Sequence, residues 1–222
     1  DGGAASAIGQ SSAAAANLAL GNGSTLRYNT GVAVGSTDRG FTIAGTSPGD
    51  SVTIESASVG AGSLRGISFT STASPAYGAA NQTRTLVLDG AFTASGVHNS
   101  YFNKLAANIA DNGSGAVTVT KTGTGSWGLL GANTFTGGLN VEQGTLMLRA
   151  IAAPGAGVVT VGSAGNSATL DLSGGRRDIV GLATAGTAAN QTITSAFPGG
   201  ILNVVGATTS TFGGVISGST AS

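Results

Sequence analysis

The chain has 222 residues, of which 41% are hydrophobic and only 8% are charged, and its 9 basic and 9 acidic residues cancel. Because the chain is neutral, it has no net positive charge with which to attract nucleic acid or anionic lipid. The lack of cysteine excludes disulfides and thiol chemistry. The length allows one all-β domain with a sizeable core, and the 39 glycines predict many tight turns.

Short apolar runs recur along the whole chain. Most of them alternate apolar residues with Thr, Ser or Asn and are bounded by Gly or Asn, which predicts a succession of strands and turns. The predicted strands are 25–28, 41–43, 52–54, 64–69, 85–88, 116–119, 139–141, 145–148, 158–161, 168–172, 201–205 and 211–216. At about 20–25 residues per coil, the chain predicts roughly 9–10 coils of a stacked β-structure, each adding about 4.8 Å along the axis.

Six residue pairs are predicted to turn the chain at the corners of these coils, because Gly and Asn adopt left-handed backbone most readily. They are Asn22-Gly23, Asn112-Gly113 and the glycine pairs 137–138, 174–175, 199–200 and 213–214. Two segments leave alternatives open. Residues 4–19 favour a loop or lateral strand over a helical cap, and residues 102–110 favour a strand or loop over a helix.

The most regular segment is 121–148, where Gly, Asn and Thr separate two apolar runs at a spacing that suits one coil. Its pattern is carried by Thr122, Gly123, Gly125, Trp127, Leu130, Gly131, Ala132, Asn133, Thr134, Phe135, Thr136, Gly137, Gly138, Val141, Gly144, Thr145, Leu146 and Leu148. These residues resemble the autotransporter-associated β-strand repeat. The resemblance implies a right-handed parallel β-helix (β-solenoid) in an exported bacterial surface or passenger protein, with a structural or adhesive role and no catalysis.

Segments on both sides resemble the spacers that alternate with this repeat. They are 11–28, 36–43 and 84–90 upstream, and 168–172 and 210–218 downstream. We therefore expect one β-solenoid domain over 1–222, with spacer-type coils in 1–120, the repeat in 121–148 and spacer-type coils in 149–222. The start at Asp1 suits either a processed mature end or a fragment boundary. No run approaches the roughly 20 apolar residues of a membrane-spanning helix.

Two motifs that are typical of enzymes are better explained as turns. Residues 123–128 read G-x-G-x-x-G, but a strand-like sequence follows instead of the helix that a dinucleotide site needs. Residues 45–49 read G-x-S-x-G, and Ser47, Asp89 and His98 follow the chain order of an α/β-hydrolase triad. The proline after this serine and the glycine-rich continuation disfavour the helix of a nucleophile elbow, so the motif predicts a turn.

No catalytic, cofactor or metal site is predicted. His98 is the sole histidine, and zinc needs three or four converging ligands. The carboxylates are scattered: Asp1, Asp38, Asp50, Glu55, Asp89, Asp111, Glu142, Asp171 and Asp178. A polysaccharide-active β-helix enzyme needs carboxylates clustered in a cleft, which only the stacking of distant coils would supply. Residues 111–115 lack the acidic ligands of a calcium loop and predict a turn.

The remaining conspicuous side chains favour structural roles. Trp127 and Phe135 are expected in the core or at corners of the repeat. The three tyrosines, at positions 28, 77 and 101, are too dispersed in sequence for a glycan-binding stripe. Residues 176–178 predict a solvated turn with a weak local ion pair.

The resulting hypothesis is a non-enzymatic module of an extracellular bacterial fibre or surface assembly. A solenoid exposes backbone donors and acceptors at its ends, so copies of the chain are expected to stack head to tail or to exchange a terminal strand. The expected contacts are residues 4–20 and 209–222. The alternatives are an autotransporter-type adhesin that binds a glycan or protein along one face and, less favoured, a polysaccharide-active enzyme. No nucleic-acid partner, membrane insertion or cofactor is expected.

Overall fold

The computed structural model describes residues 11–29, 35–57, 66–93, 103–206 and 209–218. These residues form 20 strands and two single-turn 3-10 helices, Ala15–Asn17 and Ala188–Asn190, and they contain no α-helix. The architecture is therefore all-β over the described part of the chain.

Two long parallel sheets form two walls of the structure. Sheet I contains seven strands in spatial order: β2 (Thr25–Tyr28), β5 (Asp50–Ser56), β8 (Arg84–Gly90), β10 (Val117–Lys121), β12 (Leu139–Val141), β14 (Val159–Val161) and β17 (Leu182–Thr184). Sheet II contains eight: β3 (Gly35–Thr37), β6 (Ile67–Phe69), β9 (Asn103–Leu105), β11 (Ser126–Leu129), β13 (Gly144–Leu148), β15 (Ala168–Asp171), β18 (Gln191–Thr194) and β20 (Val215–Ile216).

The third face of the structure is less regular. At its start it is a three-stranded parallel sheet of β1 (Ala19–Leu20), β4 (Thr42–Ile43) and β7 (Ala76–Tyr77). Near its end it is a two-stranded parallel sheet of β16 (Arg176–Ile179) and β19 (Ile201–Val204). Between these sheets the third face consists of loops, at 106–116, 130–138 and 149–158.

The chain visits the third face, sheet I and sheet II in that order, once per coil. Because sheet II has one strand per coil, the described residues form eight coils, against the roughly 9–10 predicted. The count is lower because the first coils are long: Ser36 pairs with Ser68, and Ser68 pairs with Lys104. This repeated order of parallel strands confirms the predicted parallel β-helix.

Apolar side chains stack in register inside the coils. Strands β5 and β8 alternate strictly between buried and half-buried positions. The sequence Val52-Thr53-Ile54 predicts this alternation in β5, whereas β8 contains the continuous apolar run of residues 86–88. One inward column of sheet I consists of consecutive register partners, all buried: Val52, Leu86, Val119, Leu139, Val159 and Leu182. Each such side chain contributes about 1.5–3 kcal/mol relative to an exposed one, so these columns are the main source of cohesion between coils.

Every predicted strand overlaps an observed strand, although residues 64 and 65 lie outside the described residues. Residues 103–110 begin with β9 and continue as a loop, and residues 11–19 contain a 3-10 turn and the start of β1; positions 102 and 4–10 lie outside the described residues. The strands that no prediction covers are β1, β3, β7, β11, β16, β17 and β18. They are two to four residues long, so their pairing partners rather than their own propensity decide their conformation.

Each predicted corner lies between two strands, and glycines at five of the six adopt positive φ, including Gly23 and Gly113. The prediction for residues 176–178 is wrong in part. The segment is strand β16 instead of a turn, and Arg177 is buried because its guanidinium binds backbone carbonyls. The expected ion pair is present, with 2.6 Å between Nε of Arg176 and Oδ1 of Asp178.

Candidate functional site

The repeat segment supplies the strands of coils four and five. It begins at the last residue of β10 and contains β11 to β13, and the chain turns between β10 and β11 at residues 122–125. Gly123 adopts a φ of +66°, and a Cβ there would lie 2.3 Å from Oδ1 of Asp89. Only glycine fits this turn. The first half of the G-x-G-x-x-G motif is the predicted turn, and residues 126–128 of the motif already belong to strand β11, so no helix follows it.

Asn133, in the third-face loop of coil five, connects three coils. Its Oδ1 accepts a hydrogen bond from the N–H of Ile109 in coil four at 2.8 Å, and its Nδ2 donates to the carbonyl of Ala153 in coil six at 2.8 Å. The side chain is only 3% exposed. Because the third face has no strands in these coils, the amide takes the place of ladder hydrogen bonds that would otherwise be missing.

Two further buried amides act in the same way at the starts of sheet II strands. Asn103 accepts from the N–H of Ile67 at 3.0 Å and donates to the carbonyl of Ser126 at 2.9 Å. Gln191 accepts from the N–H of Ala168 at 3.1 Å, and its Nε2 donates to nearby carbonyls. The repeat pattern in the sequence includes Asn133 but does not reveal its role as a connector, and sequence reasoning missed Asn103 and Gln191. For these two, the available signal was an amide at an inward position of a strand.

The aromatic residues of the repeat lie in the core, as predicted. Trp127 and Phe135 are completely buried. The indole Nε1 of Trp127 donates to the carbonyl of Asp89 at 2.8 Å, which satisfies its one polar atom. Phe135 packs below Gly155, where a Cβ would approach the ring to 2.8 Å. Neither ring is available as a sugar-binding platform.

Buried cations hold carbonyl groups at the corners. Arg84 donates to the carbonyls of Ser47 and Gly45, each at 2.7 Å. Arg177 donates through Nε and Nη2 to the carbonyl of Leu148 at 3.1 and 2.6 Å. These guanidinium groups supply hydrogen bonds to carbonyls that would otherwise be unpaired at strand ends. They connect coil three to coil two and coil seven to the end of β13 in coil five.

Lys121 is an inward-facing cation inside an apolar column. Its register partners in sheet I are Leu88 and Val141, and its ammonium donates to the carbonyls of Thr122, of Gly123 at 2.8 Å and of Gln143 at 3.1 Å. Burial lowers the pKa of Lys121 to about 8, and the nearby negative charge of Asp89 acts in the opposite direction.

The described residues of the suggested hydrolase triad, Ser47 and Asp89, belong to a turn and to a strand. Ser47 begins the turn predicted for 45–49: its N–H donates to Oδ2 of Asp50 at 2.8 Å, and its carbonyl accepts from Arg84. Asp89 lies on β8, and His98 lies outside the described residues.

Most described carboxylates bind backbone N–H groups or arginine. Asp111 accepts from the N–H groups of Val117 and Thr136 at 2.8 and 2.9 Å, and the segment 111–115 is the predicted turn. Asp171 accepts from two backbone N–H groups, and Glu55 pairs with Arg27 at 2.7 Å. Among the described residues, no three His, Asp or Glu side chains are grouped so that they could hold a metal ion.

A shallow groove of about 440 Å³ follows the corner between sheets I and II in coils four to six. It is lined by Thr124, Gln143, Gly144, Thr145, Gly165, Asn166, Ser167 and Thr169. This lining is polar and uncharged, so the groove offers hydrogen-bonding groups but none of the titratable groups that acid–base catalysis needs.

Apolar exposure is concentrated at one end of the solenoid. In the described part of the chain, every exposed large hydrophobic side chain lies after residue 150: Ile151, Val158, Val180, Ile201, Val204, Val205, Val215 and Ile216. The inward column of Trp127, Leu146, Leu170 and Ile193 is fully buried, but the next partner, Ile216, is 66% exposed. The last coil thus presents core positions to solvent.

The described residues include no helix whose length and apolar character would allow it to cross a membrane.

Comparison with known proteins identifies the same segment that the sequence singles out. The family described as Passenger-associated-transport-repeat matches residues 119–148. The Adhesin BmaC autotransporter of Brucella suis biovar 1 (strain 1330) is 44% identical over 149 residues, which are 67% of this chain and 4% of that protein. The chain therefore corresponds to a small part of that relative's length. No solved structure matches the chain. The resemblance that the sequence predicts is confirmed, and the chain is a repeat protein of the autotransporter-passenger type.

Proposed function

We propose that the chain is a non-enzymatic structural segment of an adhesin-like autotransporter passenger, secreted and exposed at the bacterial surface. The observation that carries this proposal is the unbroken parallel pairing of sheets I and II through seven and eight strands. Such a segment adds length: eight coils extend the passenger by about 4 nm at about 4.8 Å per coil.

The use of the polar side chains supports a structural role. The buried amides and buried arginines bind backbone groups of other coils or corners, and most described carboxylates bind backbone N–H groups or arginine. Catalysis needs titratable groups that converge on a substrate. The similarity to an autotransporter adhesin supports the surface location.

The proposal is tested by removing one coil in register from the full passenger. Ile54 and Leu88 are register partners, so deleting residues 55–88 joins Ile54 to Asp89 and keeps the inward and outward alternation. We expect this variant to fold cooperatively, to reach the cell surface and to keep adhesion. Deleting residues 55–87 instead moves the following side chains to the opposite face of the sheet and is expected to abolish display. Equal loss in both deletions would contradict a structural role.

The exposed last coil favours a second candidate function, which is self-association. We propose that a second copy stacks its first coil on β19 and β20, so that residues 11–20 and 209–218 form a head-to-tail contact. The support is the exposure of inward-facing Ile216 and Val204, which a further parallel coil would bury.

Sedimentation velocity and electron microscopy test this contact. We expect concentration-dependent oligomers or filaments of the purified chain, and monomers for the double variant Ile216→Lys with Val204→Lys. The matched control is Val158→Lys, because Val158 is 45% exposed but lies in coil six, away from the end. A monomeric wild-type chain at high concentration, or equal disruption by the control, would exclude the head-to-tail contact and leave the structural role intact.

A further inference from the structure

A lateral patch on the third face of coils six to eight combines arginines with apolar side chains. We define the arginine–isoleucine patch as Arg149, Ile151, Arg176, Phe197 and Ile201. The side chain of Arg176 is 59% exposed, Ile151 is 74% exposed and Ile201 is 55% exposed. Phe197 is half-buried.

Contacts between coils hold the patch together. The guanidinium carbon of Arg149 lies 5.1 Å from the centroid of the Phe197 ring, a cation–π contact that orients both groups. Arg176 and Ile201 are register partners on β16 and β19, and Nε of Arg176 is held by Asp178. Ile151 lies in a turn, two residues after Arg149 in the chain.

The patch carries positive charge. Arg177 lies below it, 3% exposed, and its guanidinium donates to the carbonyl of Leu148, the residue before Arg149. Burial and then the positive charge of Arg149 lower the pKa of Arg177. Two carboxylates, Asp171 and Asp178, offset part of the charge of the three arginines.

The apolar exposure of the patch does not come from the open end of the solenoid. Arg176 and Asp178 are the exposed positions of β16, and Ile201 is the register partner of Arg176, so its side chain points away from the core. A further coil would therefore leave Ile201 at the surface. Ile151 lies two coils earlier. The patch is thus a lateral surface feature that needs its own explanation.

We propose that the arginine–isoleucine patch binds an acidic glycan. Planar guanidinium groups pair with carboxylates, and the C–H faces of sugar rings pack against Phe197 and the two isoleucines. Groups on successive coils are spaced by about 4.8 Å, close to the length of one sugar ring, so an extended glycan along the axis meets one coil per sugar. This inference deepens the proposed function, because it rests on exposure of the passenger at the cell surface.

Biolayer interferometry with immobilised hyaluronan and polysialic acid tests the proposal, with neutral dextran as the reference. We expect the purified chain to bind at least one acidic glycan and to bind less as salt rises. The double variant Arg149→Gln with Arg176→Gln is expected to lose about tenfold or more in affinity. Ile151→Ser is expected to weaken binding without changing its salt dependence.

The matched control is Arg27→Gln, because Arg27 is a 62% exposed arginine in an ion pair on the opposite half of the solenoid. It should bind like the wild-type chain, and far-UV circular dichroism should show that every variant is folded. The proposal fails if neither acidic glycan binds, if Arg27→Gln weakens binding as much, or if dextran or anionic vesicles bind as well as the acidic glycans. The coil-deletion experiment is independent of these outcomes, so loss of glycan binding leaves the structural role standing.

Discussion

At the scale of single residues, polar side chains inside the solenoid form hydrogen bonds with backbone groups that have no backbone partner. Asn133, Asn103 and Gln191 each connect strands or loops of different coils through a side-chain amide. A buried amide with both its donor and acceptor satisfied adds direction to an otherwise non-directional apolar core. The stacking of coils two to seven therefore depends on specific residues as well as on apolar area.

Replacing Asn133 with alanine leaves a buried N–H of Ile109 and a buried carbonyl of Ala153 without their partner. We expect the free energy of unfolding to fall by about 2–4 kcal/mol, measured by urea denaturation. The control is Asn140→Ala, a half-buried asparagine on β12 of the same repeat, which should change stability by no more than about 0.5 kcal/mol. A similar effect of both substitutions would mean that Asn133 does not connect the coils.

Lys121 gives the chain a stability that depends on pH. Its pKa is about 8 in the folded state against an ordinary 10.5, so the unfolded chain binds more protons between these values. The stability that neutral Lys121 contributes is complete above pH 10.5 and is lost as pH falls through about 8. Tyr77, whose pKa burial raises, opposes this effect only above its ordinary value of 10.

We therefore expect the free energy of unfolding to rise by about 1–3 kcal/mol between pH 8 and 10. The variant Lys121→Met should lack this rise, because it removes the titrating group and keeps an apolar stem in the column. Urea denaturation of both proteins at several pH values measures the difference. Parallel pH profiles of the two proteins would show that Lys121 does not titrate in this window.

At the scale of elements, adjacent coils approach so closely that some positions admit no side chain. A Cβ on Gly131, in the loop before Asn133, would lie 1.9 Å from the carbonyl oxygen of Ala107 in coil four. Real Cβ atoms do not approach oxygen so closely, so one of the two loops would have to move. The glycine of the repeat is thus required by contact between coils.

Gly131→Ala is expected to lower the free energy of unfolding by about 1–3 kcal/mol because of this overlap. The matched control is Gly21→Ala, since a Cβ there meets nothing within 4 Å and Gly21 does not have positive φ. The control should be neutral or raise stability by up to about 1 kcal/mol through its effect on the unfolded chain. Thermal unfolding measures the difference in stability between the two variants. Equal melting temperatures would contradict the steric overlap at Gly131.

The sequence predicts those strands in which local pattern and final pairing agree. In β5, Val52 and Ile54 alternate with Ser51 and Thr53, so its conformation and inward face follow from sequence alone; in β8 the apolar run of residues 86–88 predicts a strand but not which face is inward. Strand β16 contains two arginines and an aspartate, and it is a strand because β19 pairs with it and carbonyls bind Arg177. A strand that forms because of such tertiary contacts shows no alternation in its sequence from which it could be predicted. The arginine–isoleucine patch was missed for the same reason, since its residues lie on different coils.

At the scale of the whole molecule, stability should vary along the axis. Each middle coil pairs with a neighbour on both sides, whereas the first and last described coils pair on one side only. Solenoids behave as nearest-neighbour arrays, so their ends open at lower free energy than their centre. The apolar side chains left exposed on β20 add to this difference at the C-terminal end.

Hydrogen exchange followed by mass spectrometry tests this gradient on the purified chain. Amides of β11 and β13, in the middle of sheet II, should exchange slowest, and those of β20 and β1 should exchange first. If a second copy covers β20 at high protein concentration, protection of β20 should rise with concentration while that of β11 stays constant. Uniform protection along the axis would contradict the nearest-neighbour description.

The variable length of the coils has an evolutionary consequence. Leu129 pairs with Leu148, whereas Phe69 pairs with Leu105 much further along the chain, yet all four side chains lie in the core. The additional residues are accommodated between the strands, where insertions cost little. Related genes can therefore diverge in size by gaining or losing short peptides at the corners. Foreign epitopes can be grafted at the same corners while the strands keep their register.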